Sequence, residues 1–307
     1  MKRRFWSTVG TVSIVALLCA YGGSGTGNLR YTISVSKFEN NSGWRGQWDL
    51  GDAWGAILTD ALQASGRFIV LGEKDMRQEA MAEQDLGASG RVAGGKKTPK
   101  VGYMTPAQLL VKGEITHVQS STTGGDVGLG FKGIRVGAGG DTAEINVTIY
   151  LIDSETGQVK ASTRVVGKAG RKGLSLGYHG SGLGGLTGDL AGFKKDNVGK
   201  ATEDAVAQAV DFLIRQLDSI PWEGSVAAVK GNQIIINRGS REGVEVGQEF
   251  AVGRPEEIRD EDTGEVLDRS LTRVGRIKVT EVKEKVSYCS AIEGGDKIEK
   301  GMTVQPL

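Results

Sequence analysis

The chain has 307 residues, 38 basic against 37 acidic for a formal charge of +1, and neither sign collects in a long run. That length exceeds one ordinary domain, and the even charge argues against a nucleic-acid partner. The departure from average is glycine, 48 residues or roughly twice normal usage, without collagen periodicity or enrichment in Pro and Ser.

Lys2, Arg3 and Arg4 precede a short apolar stretch, residues 5–20, interrupted by Ser7, Thr8, Gly10, Thr11 and Ser13. Residues 1–20 therefore read as a signal peptide, too short and polar for a retained span. Cys19 stands where a bacterial lipoprotein signal places its lipidated cysteine, although Leu18 before it is larger than usual. Lipidation at Cys19 and ordinary cleavage near Ala20 both remain open. Either route leaves Cys289 as the remaining thiol, with no intramolecular disulfide, and its strand-like surroundings mark it as a core residue.

Residues 31–38 alternate polar and apolar and predict a half-buried strand. A loop rich in Asn, Gly and Trp follows at 39–48. Leu50, Trp54, Ile57, Leu58, Ala61 and Leu62 then recur at helical spacing as far as Gly66. Residues 67–71 predict a buried strand, 73–84 a second helix and 85–100 an exposed loop. Strands are expected at 108–119 and 144–153, the latter turning through Ser154-Glu155-Thr156-Gly157 into 158–166. Helical spacing returns over 197–217, and Pro221 ends this body, read as residues 30–220. Beyond Trp222, short strands at 225–229, 233–237, 249–252, 273–282 and 285–292 predict a small barrel or sandwich over 223–307.

Residues 121–140 hold eight of the glycines and 167–192 hold ten. Two structureless loops of that length are unusual in a compact domain. Both alternate in part: Val127, Leu129 and Phe131, then Ile134 and Val136; later Leu174, Leu176 and Tyr178, then Leu186 and Leu190. A hairpin that crosses a membrane and returns takes roughly 20 to 27 residues, so both segments are long enough and these side chains are the candidates to face lipid. One hairpin cannot satisfy its edges in lipid, and several subunits would have to share a barrel. The competing reading is a pair of loops outside the membrane. Lys168, Arg171, Lys172, Lys194 and Lys195 fit either a membrane boundary or solvated strand ends.

The stretches AWGAILTDALQASGRFIVL (53–71), AQLLVKGEITHVQSSTTGGDVG (107–128) and INVTIYLIDSETGQVKASTRVVGKAG (145–170) resemble, in order and spacing, the CsgG family of curli-secretion proteins. The resemblance covers residues 30–217. It implies an α+β fold: a CsgG-like α/β periplasmic domain in which two β-hairpin inserts contribute to an oligomeric transmembrane β-barrel. It further implies an outer-membrane lipoprotein, a homo-oligomeric ring and a channel that passes protein subunits without nucleotide hydrolysis. In the family the loop between the first strand and first helix narrows the channel, which makes Asn40, Asn41, Trp44 and Trp48 the constriction candidates; a solvated turn with both tryptophans packed on the body is the alternative. The tail, with GSREGVEVGQEFAV (239–252) and TRVGRIKVTEVKEKVSYCSAI (272–292), looks like the SH3-like barrel that ends flagellar-ring envelope proteins. That addition opens a second reading, a periplasmic scaffold ring without an open pore, docking an envelope partner through its C-terminal domain.

No catalytic constellation is expected. Two GxGxxG matches, 128–133 and 180–185, lack the strand-then-helix setting of a dinucleotide site, and GRVAGGKK (90–97) has Lys97 where a P-loop needs Ser or Thr. His117 and His179 have no partner at metal-ligand spacing, and Asp260, Glu261 and Asp262 fall in a turn. The chain is thus read as a non-enzyme with no cofactor and no metal.

Overall fold

The computed structural model describes residues 28–46, 49–121, 142–169 and 196–307. It is a mixed α/β fold in which strands dominate, arranged as a sheet with helices and a closed barrel. In the sheet, β1 (Tyr31–Val35) lies one place in from an edge, flanked in parallel by the edge strand β3 (Phe68–Val70) and by β4 (Leu109–Ser121). From β4 the sheet runs antiparallel into β5 (Thr142–Asp153) and β6 (Val159–Lys168), and β2 (Glu39–Asn40) pairs in parallel with β4.

Helix α1 (Leu50–Ser65) starts where Asp49 Oδ1 accepts the Asp52 amide at 2.9 Å and stops at Gly66 in a left-handed conformation. Helix α3 (Asn197–Gln216) is capped by Asp196, whose carboxylate accepts the Val198 amide. The two helices pack on each other and on one face of the sheet, α1 over β1 and β3 and α3 over β5 and β6, where Ala143, Ile145, Val147, Ile149 and Leu151 of β5 are all buried. The intervening Glu144, Asn146, Thr148, Tyr150 and Ile152 are only half-buried, so this face carries no helix. An antiparallel ladder tolerates one wet face in this way.

Four sequence expectations change. The strand expected over 31–38 ends at Val35 and is buried on both faces, because Thr32 and Ser34 spend their hydroxyls on the Pro106 and Gly72 carbonyls. The strand at 67–71 is a three-residue edge in which only Phe68 is buried. Helix α2 runs from Lys74 to Ala88, beyond the expected end at 84, and none of its residues is buried. In the tail, β9 (Glu249–Arg259) and β10 (Val266–Val282) are far longer than 249–252 and 273–282, because they continue as a two-stranded arm joined at residues 260–265.

The tail forms a closed antiparallel barrel: β7 (Gly224–Lys230), β8 (Gln233–Ile236), β9, β10, β11 (Ser287–Glu293) and an unforeseen β12 (Thr303–Pro306). Closure removes the edges that a six-stranded sheet would otherwise expose. Val226, Ile236, Val252, Ile277, Val304 and Cys289 fill it, and burial pushes the Cys289 thiol up to about 12. Trp222 closes one side, stacked on Phe250 at 5.3 Å with the Arg238 guanidinium 6.0 Å from its ring.

Barrel and sheet are locked at the root of β1. The Arg30 amide donates to the Glu242 carbonyl at 2.9 Å, Asn28 Nδ2 to Glu245 Oε1, and the Tyr31 hydroxyl to the Ile220 carbonyl. Gly243, at φ +83°, lies against the Asn28 carbonyl, where a Cβ would come within 1.8 Å of the oxygen. A second contact joins the arm to the β5–β6 turn: Arg269 pairs with Glu155 at 2.9 Å, and Gln158 donates to Glu265.

Candidate functional site

The candidate site is the loop between β1 and α1. Alternation ends at Phe38, which turns inward, is 1 % exposed and stacks on Trp54 of α1 at 4.8 Å. Its ring lies on the backbone of Gly113 in β4, where a Cβ would be 1.9 Å from the ring. A lone glycine within a predicted strand signals such a close approach. With Phe38 pinned, the chain returns to the sheet as β2: Glu39 and Asn40 stand beside Glu114 and Ile115, and the Asn41 amide donates to the Ile115 carbonyl at 2.9 Å.

The loop then closes on itself. Asn40 Nδ2 donates to the Trp44 carbonyl at 3.1 Å, and Asn40 Oδ1 accepts from the Ser42 amide and hydroxyl. Gly43 turns with φ +73°. Trp44 is half-buried, packed on the core with its indole against Gly46. Asn41 reaches outward and donates to Glu114 Oε1 at 2.7 Å.

Ion pairs frame both ends. Lys37 Nζ lies 2.7 Å from Asp52 and 3.6 Å from Asp49, and the hydrogen bond to Asp52 raises its pKa. Lys112 pairs with Glu39 at 2.8 Å and is likewise raised. Both pairs are exposed, so their effect is to hold geometry more than to add stability. Lys37, Asn40, Asn41, Trp44, Arg45 and Asp49 line an open groove. Its surface offers amide, cationic, anionic and indole groups without a nucleophile–base pair.

Asn40, Asn41 and Trp44 are therefore brought together on one loop. Trp48 lies outside the described residues, as do Cys19 and every lipid-facing candidate: Val127, Leu129, Phe131, Ile134, Val136, Leu174, Leu176, Tyr178, Leu186 and Leu190. The anchors that sequence reasoning missed are Phe38, Gly113 and Lys37. Of these, only the mid-strand glycine carried a sequence signal.

The strands bearing the two glycine-rich segments have a common geometry. Ser121 pairs with Thr142 and Glu144 with Lys168, so segments 122–141 and 170–195 both leave from one end of the β4–β5–β6 ladder. The second returns at the same end, since the Lys168 amide donates to Asp204 near the start of α3. β2 runs alongside β4 toward that end. Among the described residues, no helix is long and apolar enough to cross a membrane, which leaves strands unaddressed, and no three His, Cys, Asp or Glu side chains converge as a metal site. His117 sits exposed at a bulge of β4, and residues 90–97 follow α2 instead of opening a helix. Asp260 to Gly264 form an exposed turn in which Asp260 accepts the Asp262 and Thr263 amides.

The described body is thus a mixed sheet with two helices on one face and a pinned loop between its first strand and first helix. The sequence matches the family described as curli production assembly/transport component CsgG over residues 23–245, and the chain belongs to that family. No curated protein sequence matches it. Among solved structures it is similar to the PelC dodecamer from Paraburkholderia phytofirmans, at 14% identity and TM-score 0.30, covering 58% of this chain and 85% of that one. It is also similar to hypothetical protein CT253 from Chlamydia trachomatis, at 9% identity and TM-score 0.36, covering 62% and 99% respectively. A third is lipoprotein GNA1162 from Neisseria meningitidis, at 13% identity and TM-score 0.25, covering 62% and 99%.

Proposed function

We propose that this chain is the subunit of a homo-oligomeric outer-membrane channel through which protein subunits pass by diffusion, without nucleotide hydrolysis. Segments 121–140 and 167–192 supply two hairpins per subunit to a shared barrel, and the loop carrying Asn40, Asn41 and Trp44 narrows the passage below it. Family membership supports the reading. The observation that carries it is the common exit of both glycine-rich segments from one end of the β4–β5–β6 ladder, toward which β2 leads the loop. Adjacent strands extended past one end of a sheet are what paired hairpins entering a single barrel require. The barrel of β7–β12 then serves as a docking module for the secreted protein or an envelope partner.

The test is planar-bilayer conductance of the detergent-extracted oligomer beside a variant lacking residues 124–139 and 170–192. Large, stable steps that vanish in the variant support the channel. A well-formed ring that gives no steps overturns it in favour of a scaffold ring.

A further inference from the structure

Two surfaces of the described body are left unpartnered, and they are chemically complementary. Helix α2 has no buried residue and makes only marginal contact with the other elements; it is tethered through Arg77, which donates to the Thr105 carbonyl at 3.1 Å, and through Gly87 against Pro99. A free-standing helix of 15 residues is marginal in water, so this one calls for a surface to rest on. On the side away from Arg77, and bordered by Gly87, it presents Glu79 and Glu83 between Met76 and Leu86, which are 49% and 39% exposed. Neither carboxylate has a hydrogen-bond or ion-pair partner among the described residues.

The second surface is the helix-free face of β4, β5 and β6. Tyr150 and Ile152 stand half-exposed there. Beside Thr148 lies Arg164, whose described partner is the Thr116 hydroxyl at 3.4 Å and no carboxylate. On β6, Lys160 pairs with Asp153 at 3.4 Å and Lys168 with Glu144 at 3.2 Å, which leaves Arg164 as the cation of that strand without a carboxylate, whereas α2 carries Asp75, Glu79, Glu83 and Asp85 against Lys74 and Arg77. In the sheet order, α2 follows the edge strand β3, while β6 is the opposite edge. One copy therefore holds the acidic, Met- and Leu-bearing helix after one edge strand, and at the other edge a half-apolar sheet face on which Arg164 has no carboxylate partner.

We propose that α2 of one copy lies on the open face of β4–β5–β6 of the next, with Glu79 and Glu83 facing Arg164 and Met76 and Leu86 covering Tyr150 and Ile152. The contact is head-to-tail, the type that generates rings, and it rests on the oligomeric reading above. Charge complementarity of this kind sets register and excludes wrong partners.

The full chain, extracted in detergent, is sized by light scattering after gel filtration. Glu79→Lys/Glu83→Lys and, separately, Arg164→Glu each lower the assembled fraction about tenfold or more, while their combination in one chain regains it. All three positions are exposed, so circular dichroism is expected to be unchanged. In parallel, Glu83→Cys/Arg164→Cys treated with a short bismaleimide yields a ladder of linked subunits. Assembly of either reversal as in the parent chain, absence of regain in the combination, or absence of the ladder overturns this interface and leaves the oligomer reading standing. A parent chain that runs as a monomer, alone or with a different protein, overturns both.

Discussion

At the residue scale, the loop's position depends on one aromatic side chain meeting one glycine. Phe38 is buried by Trp54 on one side and by the backbone at Gly113 on the other. Replacing it with Ala removes a full aromatic side chain from a packed interior, which costs about 3–5 kcal/mol. Phe38→Ala is expected to lose stability on that scale in equilibrium urea unfolding and to speed amide exchange at Asn41, whose N–H depends on β2 lying beside β4. A loss under about 1 kcal/mol, with unchanged exchange, would show that the loop is held by its ion pairs instead. None of this was legible as a pairing. The alternation through residue 38 was plain in the sequence, but period-2 reasoning extends a strand to its last matching residue and does not see that Phe38 leaves the ladder. Asn40 and Asn41 were legible as loop residues, whereas the hydrogen bond from Asn41 to Glu114 depends on where β4 lies.

At the element scale, the long helices and antiparallel strands followed from periodicity. α1 begins at Leu50 and stops at Gly66 as its pattern required, and the β5–β6 turn falls where Ser154 to Gly157 placed it. Elements whose existence depends on a neighbour were harder. β3 is three residues long because it is an edge, and α2 lacks an apolar face to reveal its extent. The arm of β9 and β10 was missed because charged residues dominate 254–273, and a strand without a buried face shows no apolar alternation. Its attachment is ionic: Arg269 bridges Glu257 at 3.0 Å and Glu155 at 2.9 Å. Since those pairs are exposed, Arg269→Ala is expected to change global stability by under about 1 kcal/mol. It should nonetheless detach the arm, seen as faster hydrogen exchange confined to residues 254–273. Exchange unchanged there would mean that the arm stands without Glu155.

At the scale of the whole molecule, the sheet and barrel are coupled through the short segment that leads into β1. Because the Asn28 carbonyl occupies the space of a Gly243 side chain and φ there is +83°, Gly243→Ala must separate the two surfaces. Calorimetry is expected to show one transition for the parent chain and two for this variant, the barrel retaining its own core. A single unshifted transition in Gly243→Ala would mean that the latch carries no coupling. The sequence by itself determined what is local or periodic: the signal-like N-terminus, the run of helices and strands, the glycine-rich segments and the likeness in order and spacing that family membership bore out. Tertiary structure alone decided that both segments exit from one end of the ladder, that Phe38 pins the loop on Gly113, and that the tail grips the root of β1. The physical reason is that periodicity reports which face of an element avoids water, while register, edges and close approaches are set by residues far apart in sequence, whose pairing leaves no periodic mark.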